Sequence, residues 1–253
     1  MDQQQILSCA LDIGEQMLIS GAEVSRVELA ISMICKAYGC QRADVFIITS
    51  SMILTVADNQ GNHSTQTRRL TGTATDLDKL HKLNSLSRQI CSETPDYETV
   101  RQQLDSICKN KPYPLWLQVL ASGLIAFAFT VFFGGTWTDG IVAFFLGLGL
   151  RLLTTVLQKA AANQIIINVI ASFVLSVSTI ALVRCGIGRD MDKILIGNIM
   201  LLIPGIALTN ALRDLISGDI ITGLLRFLDA ILVAAAIAAG YILAAYCLGG
   251  GLV

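Results

Sequence analysis

Between Asn198 and Ala230 the sequence reads NIMLLIPGIALTNALRDLISGDIITGLLRFLDA, which sets arginines, aspartates, asparagines and a proline inside or beside segments otherwise fit only for lipid. The residue types define the chemistry. The guanidinium groups of Arg213 and Arg226 can attract carboxylates, and the carboxyls of Asp214, Asp219 and Asp229 can pair with them or carry coupling protons. Asn198, Thr209 and Asn210 offer neutral polar surface along a path. Pro204 lies in mid-run, where it removes one helical hydrogen bond and crowds the carbonyl of Met200, so a kink or break is expected. Asn198, Gly205 and Thr209 fall in a narrow sector, because offsets of seven and eleven nearly close whole turns. Polar backbone at membrane depth is tolerated only against protein or a wet cavity, which makes transport the first reading.

A second cluster, Glu23, Arg26 and Glu28, sits near the start of an amphipathic helix in SGAEVSRVE. Either Glu23 caps the helix while Arg26 and Glu28 form surface ion pairs, or the three gather to bind a ligand or the membrane domain. No catalytic residue is assigned. Ser50-Ser51 lacks the G-x-S-x-G elbow and a base, and His63 and His81 have no acid at metal-ligand spacing. With no Gly-rich phosphate loop, the chain is not read as ATP-driven, and neither cofactor nor metal is expected.

These groups are held in a chain of 253 residues, 53% hydrophobic and 15% charged, with a mean hydropathy of +0.63. Residues 1–111 hold most of the charge, and residues 112–253 hold apolar runs long enough to cross a bilayer. The net charge of −1 carries no basic cluster, so nucleic acid is excluded as a partner. Seven cysteines without a C-x-x-C pair are read as reduced, packed thiols. The amino terminus lacks the basic start and continuous apolar core of a signal peptide, which places the first domain in the cytoplasm.

In the first domain, helical spacing predicts a helix from about Gln3 to Ile19. Ser20 followed by Glu23 reads as a capping box opening a second helix that runs to about Tyr38. Ala43–Thr49, Met52–Ala57 and His63–Leu70 read as antiparallel strands, with Asp58–Asn62 as the hairpin turn. Helices over about Asp76–Cys91 and Asp96–Lys109 complete an α-α-β-β-β-α-α cytosolic α/β domain.

Five membrane spans follow, near residues 115–133, 139–157, 164–183, 194–212 and 220–248. Trp116 and Trp137 flank the first at the interface. Gly140, Gly147 and Gly149 on the second allow close helix approach, and its Arg151 is read as snorkelling. Asn168, Ser172, Ser176 and Thr179 share one face of the third, a pattern of helix-to-helix hydrogen bonding. On the fifth, Arg226 and Asp229 can neutralise each other at i, i+3, and rows of small residues (Ala230, Ala234, Ala238; Ala236, Gly240, Ala244) suit tight packing. Lys109 and Lys111 place the amino terminus inside, against Arg184, Arg189 and Lys193 in the loop predicted outside, and an odd span count then puts the carboxyl end outside.

At SGAEVSRVE and at PGIALTNALRDLISGDIITGLLRFLDA the sequence resembles the threonine/serine exporter family of secondary transporters, over almost the whole chain and with both motifs in the same order. The resemblance implies a multi-pass protein of the bacterial inner membrane that exports small polar metabolites. Its motif marks Glu23, Arg26 and Glu28, and then Pro204, Gly205, Asn210, Arg213, Asp214, Gly218, Asp219, Gly223, Arg226 and Asp229. Single-chain members look like ten spans in two parts, whereas this sequence resembles the larger subunit of the split form, which includes a succinate exporter. That implies a small membrane protein as partner for the second half of the transporter, with a higher oligomer allowed. The competing readings are a membrane-anchored hydrolase-like enzyme acting through Glu23, Arg26 and Glu28, and a regulatory domain that recruits a partner transporter.

Overall fold

A computed structural model describes residues 1–57, 61–70, 72, 74–109, 113–160 and 163–248. The chain divides into two compact units, residues 1–111 with 205–228, and residues 112–204 with 229–253. Most of the expected hairpin turn, Asp58 to Gln60, lies outside the described residues, as do Lys111 and Pro112 at the expected domain boundary.

The first unit opens with α1 (Gln3–Ile19) and α2 (Val24–Ala37), followed by β1 (Arg42–Ile48), β2 (Ser51–Ala57), β3 (His63–Arg69), α3 (Leu77–Glu93) and α4 (Tyr97–Cys108). The three strands form one antiparallel sheet in the order β1-β2-β3. On β2 the alternation of Met52, Leu54 and Val56 turns one face inward, and all three are fully buried with Ile6, Leu11, Ile13 and Met17 of α1 and Val27, Ile31 and Ile34 of α2 in one core. The outer strand β3 is polar throughout, and its Arg68 pairs with Asp12 of α1 at 2.8 Å. The same unit takes in α9 (Gly205–Ser217) and the first turns of α10 (Ile220–Cys247).

The expected capping box at Ser20 and Glu23 does not form. Ser20 Oγ is buried with no partner among the described residues, and Glu23, the N-cap of α2, makes no side-chain capping bond. A group 190 residues away takes that place, as described below.

The second unit holds α5 (Leu115–Phe132), α6 (Trp137–Lys159), α7 (Gln164–Arg184), α8 (Met191–Ile199) and α10 from Asp229 onward. Among the described residues four helices are long and apolar enough to cross a membrane: α5, α6, α7 and α10. The fourth of the five expected spans is not among them, and the kink or break expected at Pro204 is a break. The run over 194–212 is broken, because Pro204 cannot donate to the ladder and Met200 to Ile203 end α8 in short-range turns, Leu201 N–H to Asn198 O at 3.0 Å and Leu202 N–H to Ile199 O at 2.8 Å. At nine residues α8 is roughly 14 Å long, less than half the bilayer core.

Without a hydrophobic drive in lipid, these helices associate through small residues. A Cβ at Gly140 would meet Phe127 at 2.8 Å, and one at Gly147 would meet Ser122 O and Ala126 at 2.9 Å, so α5 and α6 touch closely; Gly149 faces open space. Gly197 brings α8 against Ala126 O and Thr130. Of the two small rows on α10, Ala236, Gly240 and Ala244 are buried, with Gly240 against α7, whereas Ala234 and Ala238 are exposed. The polar face of α7 is buried, yet among the described residues only Ser172 bonds across helices, to Ile237 O at 2.7 Å; Ser176 and Thr179 donate back to their own helix.

One polar group has no counterpart among the expectations. Asp139, in the first turn of α6, is fully buried and accepts from Thr136 Oγ1 at 2.6 Å, Arg189 N at 2.6 Å and Asp190 N at 3.3 Å, fastening the α5–α6 turn to the α7–α8 loop. Asp139→Ala is expected to destabilise the protein by about 3 kcal/mol and Asp139→Asn by less, because Asn retains one acceptor. Thermal melting of the three proteins in one detergent checks this, and equal melting temperatures would refute it.

Candidate functional site

Within the first unit, the turn joining α1 to α2 and the hairpin joining α9 to α10 supply the two sides of a charged cluster. Gly21 holds φ at +93°, a left-handed conformation that suits glycine, and the turn presents its carbonyls and the start of α2. Asn210, Arg213 and Asp214 lie at i, i+3 and i+4 and therefore share one face of α9. Each of them finds a partner on the turn. Asn210 Nδ2 donates to Gly21 O at 2.8 Å, Arg213 pairs with Glu23, and Asp214 Oδ1 accepts the Val24 N–H at 3.1 Å.

The hairpin is set by its own turn. Gly218, at φ +99°, donates to Leu215 O, and Asp219 N–H returns to Asp214 O at 3.0 Å, the six-to-one and five-to-two pair that closes a helix on glycine. Gly223 lets the two helices meet, since a Cβ there would lie 2.7 Å from Leu215 and 3.0 Å from Ala211 O. Arg226 is thereby brought against Asp214, with Nη1 2.8 Å from Oδ2 and 3.3 Å from Ala22 O. Thr222, also on α10, donates to Ile47 O of β1 at 3.4 Å.

The Asp214 carboxylate is fully buried, and it caps α2 in place of Ser20, where the positive end of the helix dipole favours an anion. Its partner Arg226 keeps 17% of its side chain exposed, so this is a buried pair; Arg213, at 57%, makes with Glu23 a bond largely open to solvent. Burial pushes the Asp214 carboxyl above its usual range, against the pull of Arg226 and the Val24 N–H, and the carboxylates of Asp219 and Glu23 add to the rise. Glu28 is also raised, by burial first and then by Asp219.

The structure thus assembles Glu23, Asn210, Arg213, Asp214 and Arg226, with Glu28 and Asp219 close enough to interact. The other expected site residues stand apart. Arg226 does not neutralise Asp229; it reaches Asp214 and Ala22 instead, while Asp229 is exposed and belongs to the second unit. Arg26 is exposed and makes no ion pair among the described residues. Asn198, Gly205 and Thr209 do not share a helix face, because the break at Met200–Pro204 separates the first from the others. Asn198 is fully buried in the second unit, its Nδ2 donating to Ile194 O at 3.0 Å and its Oδ1 unpartnered, and Thr209 is exposed and back-bonded to Gly205 O. The groups that sequence reasoning missed are backbone atoms, Gly21 O, Ala22 O and Val24 N, and the glycine after Ser20 was their one signal. Among the described residues no group of His, Cys, Asp and Glu is placed to hold a metal ion.

The family model described as "Putative threonine/serine exporter" matches residues 8–248. A "Probable succinate transporter subunit YjjP" of Klebsiella aerogenes is 26% identical over 239 residues, covering 94% of this chain and 90% of that protein. The protein of the same name in Escherichia coli is 24% identical, covering 96% and 94%. A "Probable threonine/serine exporter" of Mycobacterium tuberculosis is 22% identical over 95% of this chain but only 46% of its own length, so the chain spans about half of that relative. No solved structure matches. With a match over nearly its whole length, the chain belongs to the threonine/serine exporter family.

Proposed function

We propose that the chain is one subunit of a secondary transporter in a bacterial inner membrane, exporting small polar metabolites such as threonine, serine or a dicarboxylate like succinate. The observation that carries this reading is the charged hairpin of a chain with four apolar membrane-length helices, in which buried Asp214 and Arg226 pair beside further carboxylates. Such groups are costly near lipid and characteristic of substrate and proton pathways. Coverage supports a partner: the chain matches nearly all of the succinate transporter subunits but under half of the mycobacterial exporter, so a small second membrane protein supplies the rest.

In this reading residues 1–111 are a cytosolic domain and the amino terminus is cytoplasmic. Residues 205–228 belong to the same compact unit as residues 1–111, so α10 starts on the cytosolic side. Crossings by α5, α6 and α7 leave the chain outside, and α8 with the unwound stretch before α9 provides the return, a discontinuous element of the kind that lines transporter sites. Five crossings and an outside carboxyl end follow. Asn198, Pro204, Gly205, Thr209 and Asn210 lie along that return, Arg213 and Arg226 attract carboxylates at its cytosolic end, and Asp214, Asp219 and Asp229 handle the coupling ion. The activity is transport rather than catalysis.

In cells carrying the chain with its small membrane partner and loaded with labelled threonine or succinate, Arg226→Ala and Asp229→Asn should each reduce efflux per folded protein by about tenfold or more. Undiminished efflux in both would remove these residues from the path. In thermal melts, Asp214→Ala and Arg226→Ala should each cost about 3 kcal/mol, and the double variant clearly less than their sum, because each single change leaves a buried partner unpaired. Full additivity would show that the pair does not couple. Folded Glu28 binds its proton more tightly than the unfolded chain does, so its contribution to stability falls as pH rises through the interval above the ordinary glutamate value. Asp219→Asn should lower the Glu28 pKa, read by carbon-13 carboxyl titration; an unmoved titration would show that Asp219 is not its neighbour.

A further inference from the structure

The second unit contains a cavity of about 140 Å³ lined by Ser122, Arg151, Thr154, Gln158, Gln164 and Asn168, and floored by leucines. It has room for several waters at ~30 Å³ each, and so for a small metabolite. Leu201 and Leu202, two of its apolar walls, come from the unwound stretch between α8 and Pro204. Of the described lining residues Arg151 alone is charged. It lies roughly 21 Å along α6 from Trp137 and roughly 12 Å from Lys159. Its guanidinium donates to Gln118 near the start of α5, a neutral acceptor, and it has no carboxylate partner among the described residues.

A guanidinium that lines a partly enclosed cavity between apolar helices and has no anionic partner is costly to desolvate, and an anionic ligand would offset that cost. The neighbours define which anion. One fork-shaped cation suits the planar, two-oxygen geometry of a carboxylate, while the hydroxyl of Thr154 and the amides of Gln158, Gln164 and Asn168 can bond the polar remainder of a small metabolite. Asn168 already accepts from Gln164 at 3.1 Å, which holds that side of the cavity in place.

We infer that this cavity is a binding site for a small carboxylate, with Arg151 as the group that engages the carboxylate. The inference deepens the transporter reading and rests on it for the role of the site, though not for the binding itself. It adds to the hairpin arginines, which pair with Glu23 and Asp214, a carboxylate-binding arginine in the second unit that has no acidic partner among the described residues.

The test is calorimetric titration of the full chain in zwitterionic lipid nanodiscs with succinate, threonine, neutral succinamide and inorganic phosphate. Succinate or threonine should bind, and succinamide and phosphate should not. Arg151→Gln should weaken binding by about tenfold or more, Arg151→Lys by less, and Gln118→Leu should retain it, with all variants melting like the parent. Wild-type affinity in Arg151→Gln would overturn the site, as would equal loss in Arg151→Gln and Gln118→Leu, which would reduce the pair to a structural contact. Preference for phosphate would overturn the carboxylate assignment. Efflux by the parent chain with its partner separates the two readings: efflux without measurable binding in this cavity would sink the site alone, and a parent that shows neither efflux nor binding would sink the transporter reading with it.

Discussion

The buried carboxylate of Asp214 is the constraint on which the first unit depends. It meets two demands that neither helix could meet locally. The start of α2 needs an acceptor for its free N–H groups, and Arg226 needs an anion where water is scarce. Because one side chain answers both, the α1–α2 turn, α9 and α10 hold their positions together. The cost is a carboxyl lifted above its usual range by burial, which leaves it nearer to exchanging a proton than an exposed aspartate would be.

The second unit solves a different problem. Its helices have no water to escape from, so contact comes from glycines that let backbones touch and from hydroxyls that bond within their own helix. Polar groups left over after that are few. Asp139 is consumed in tying two loops, Asn198 keeps an unused carbonyl oxygen, and Arg151 is answered only by an amide. The unwound stretch after α8 and the polar cavity share Leu201 and Leu202, so the break at Pro204 shapes the cavity wall as well as the chain path.

Local patterns carried most of the fold. The apolar spacing in Ile6 to Leu18 gave α1 its observed limits, β-branched runs marked all three strands, and Pro204 marked the break. What spacing could not give was the choice of partner. Ser20 and Glu23 look like a capping box, yet the cap comes from Asp214, and Arg226 lies three residues from Asp229 but finds Asp214 across a turn. Arg151 reads as a cation near a helix end, but nothing in the spacing of α6 names Gln118 of α5 as its acceptor. Each miss has the same origin: a periodic pattern reports neighbours along one helix, and a buried charge is claimed by whichever polar group the tertiary fold brings nearest.

The turn at Gly218 and Asp219 carries an implication for how the family can vary. Asp214 contributes its carbonyl to the turn and its carboxylate to Arg226, so the count of residues between them is fixed from both ends. Adding or deleting one residue there would swing Arg226 by about 100° around the α10 axis, away from Asp214 and from Ala22 O. The contacts thus constrain the length of this hairpin more tightly than the side chains on its outer surface, and an insertion placed within it would break the pair that one placed outside it would leave intact.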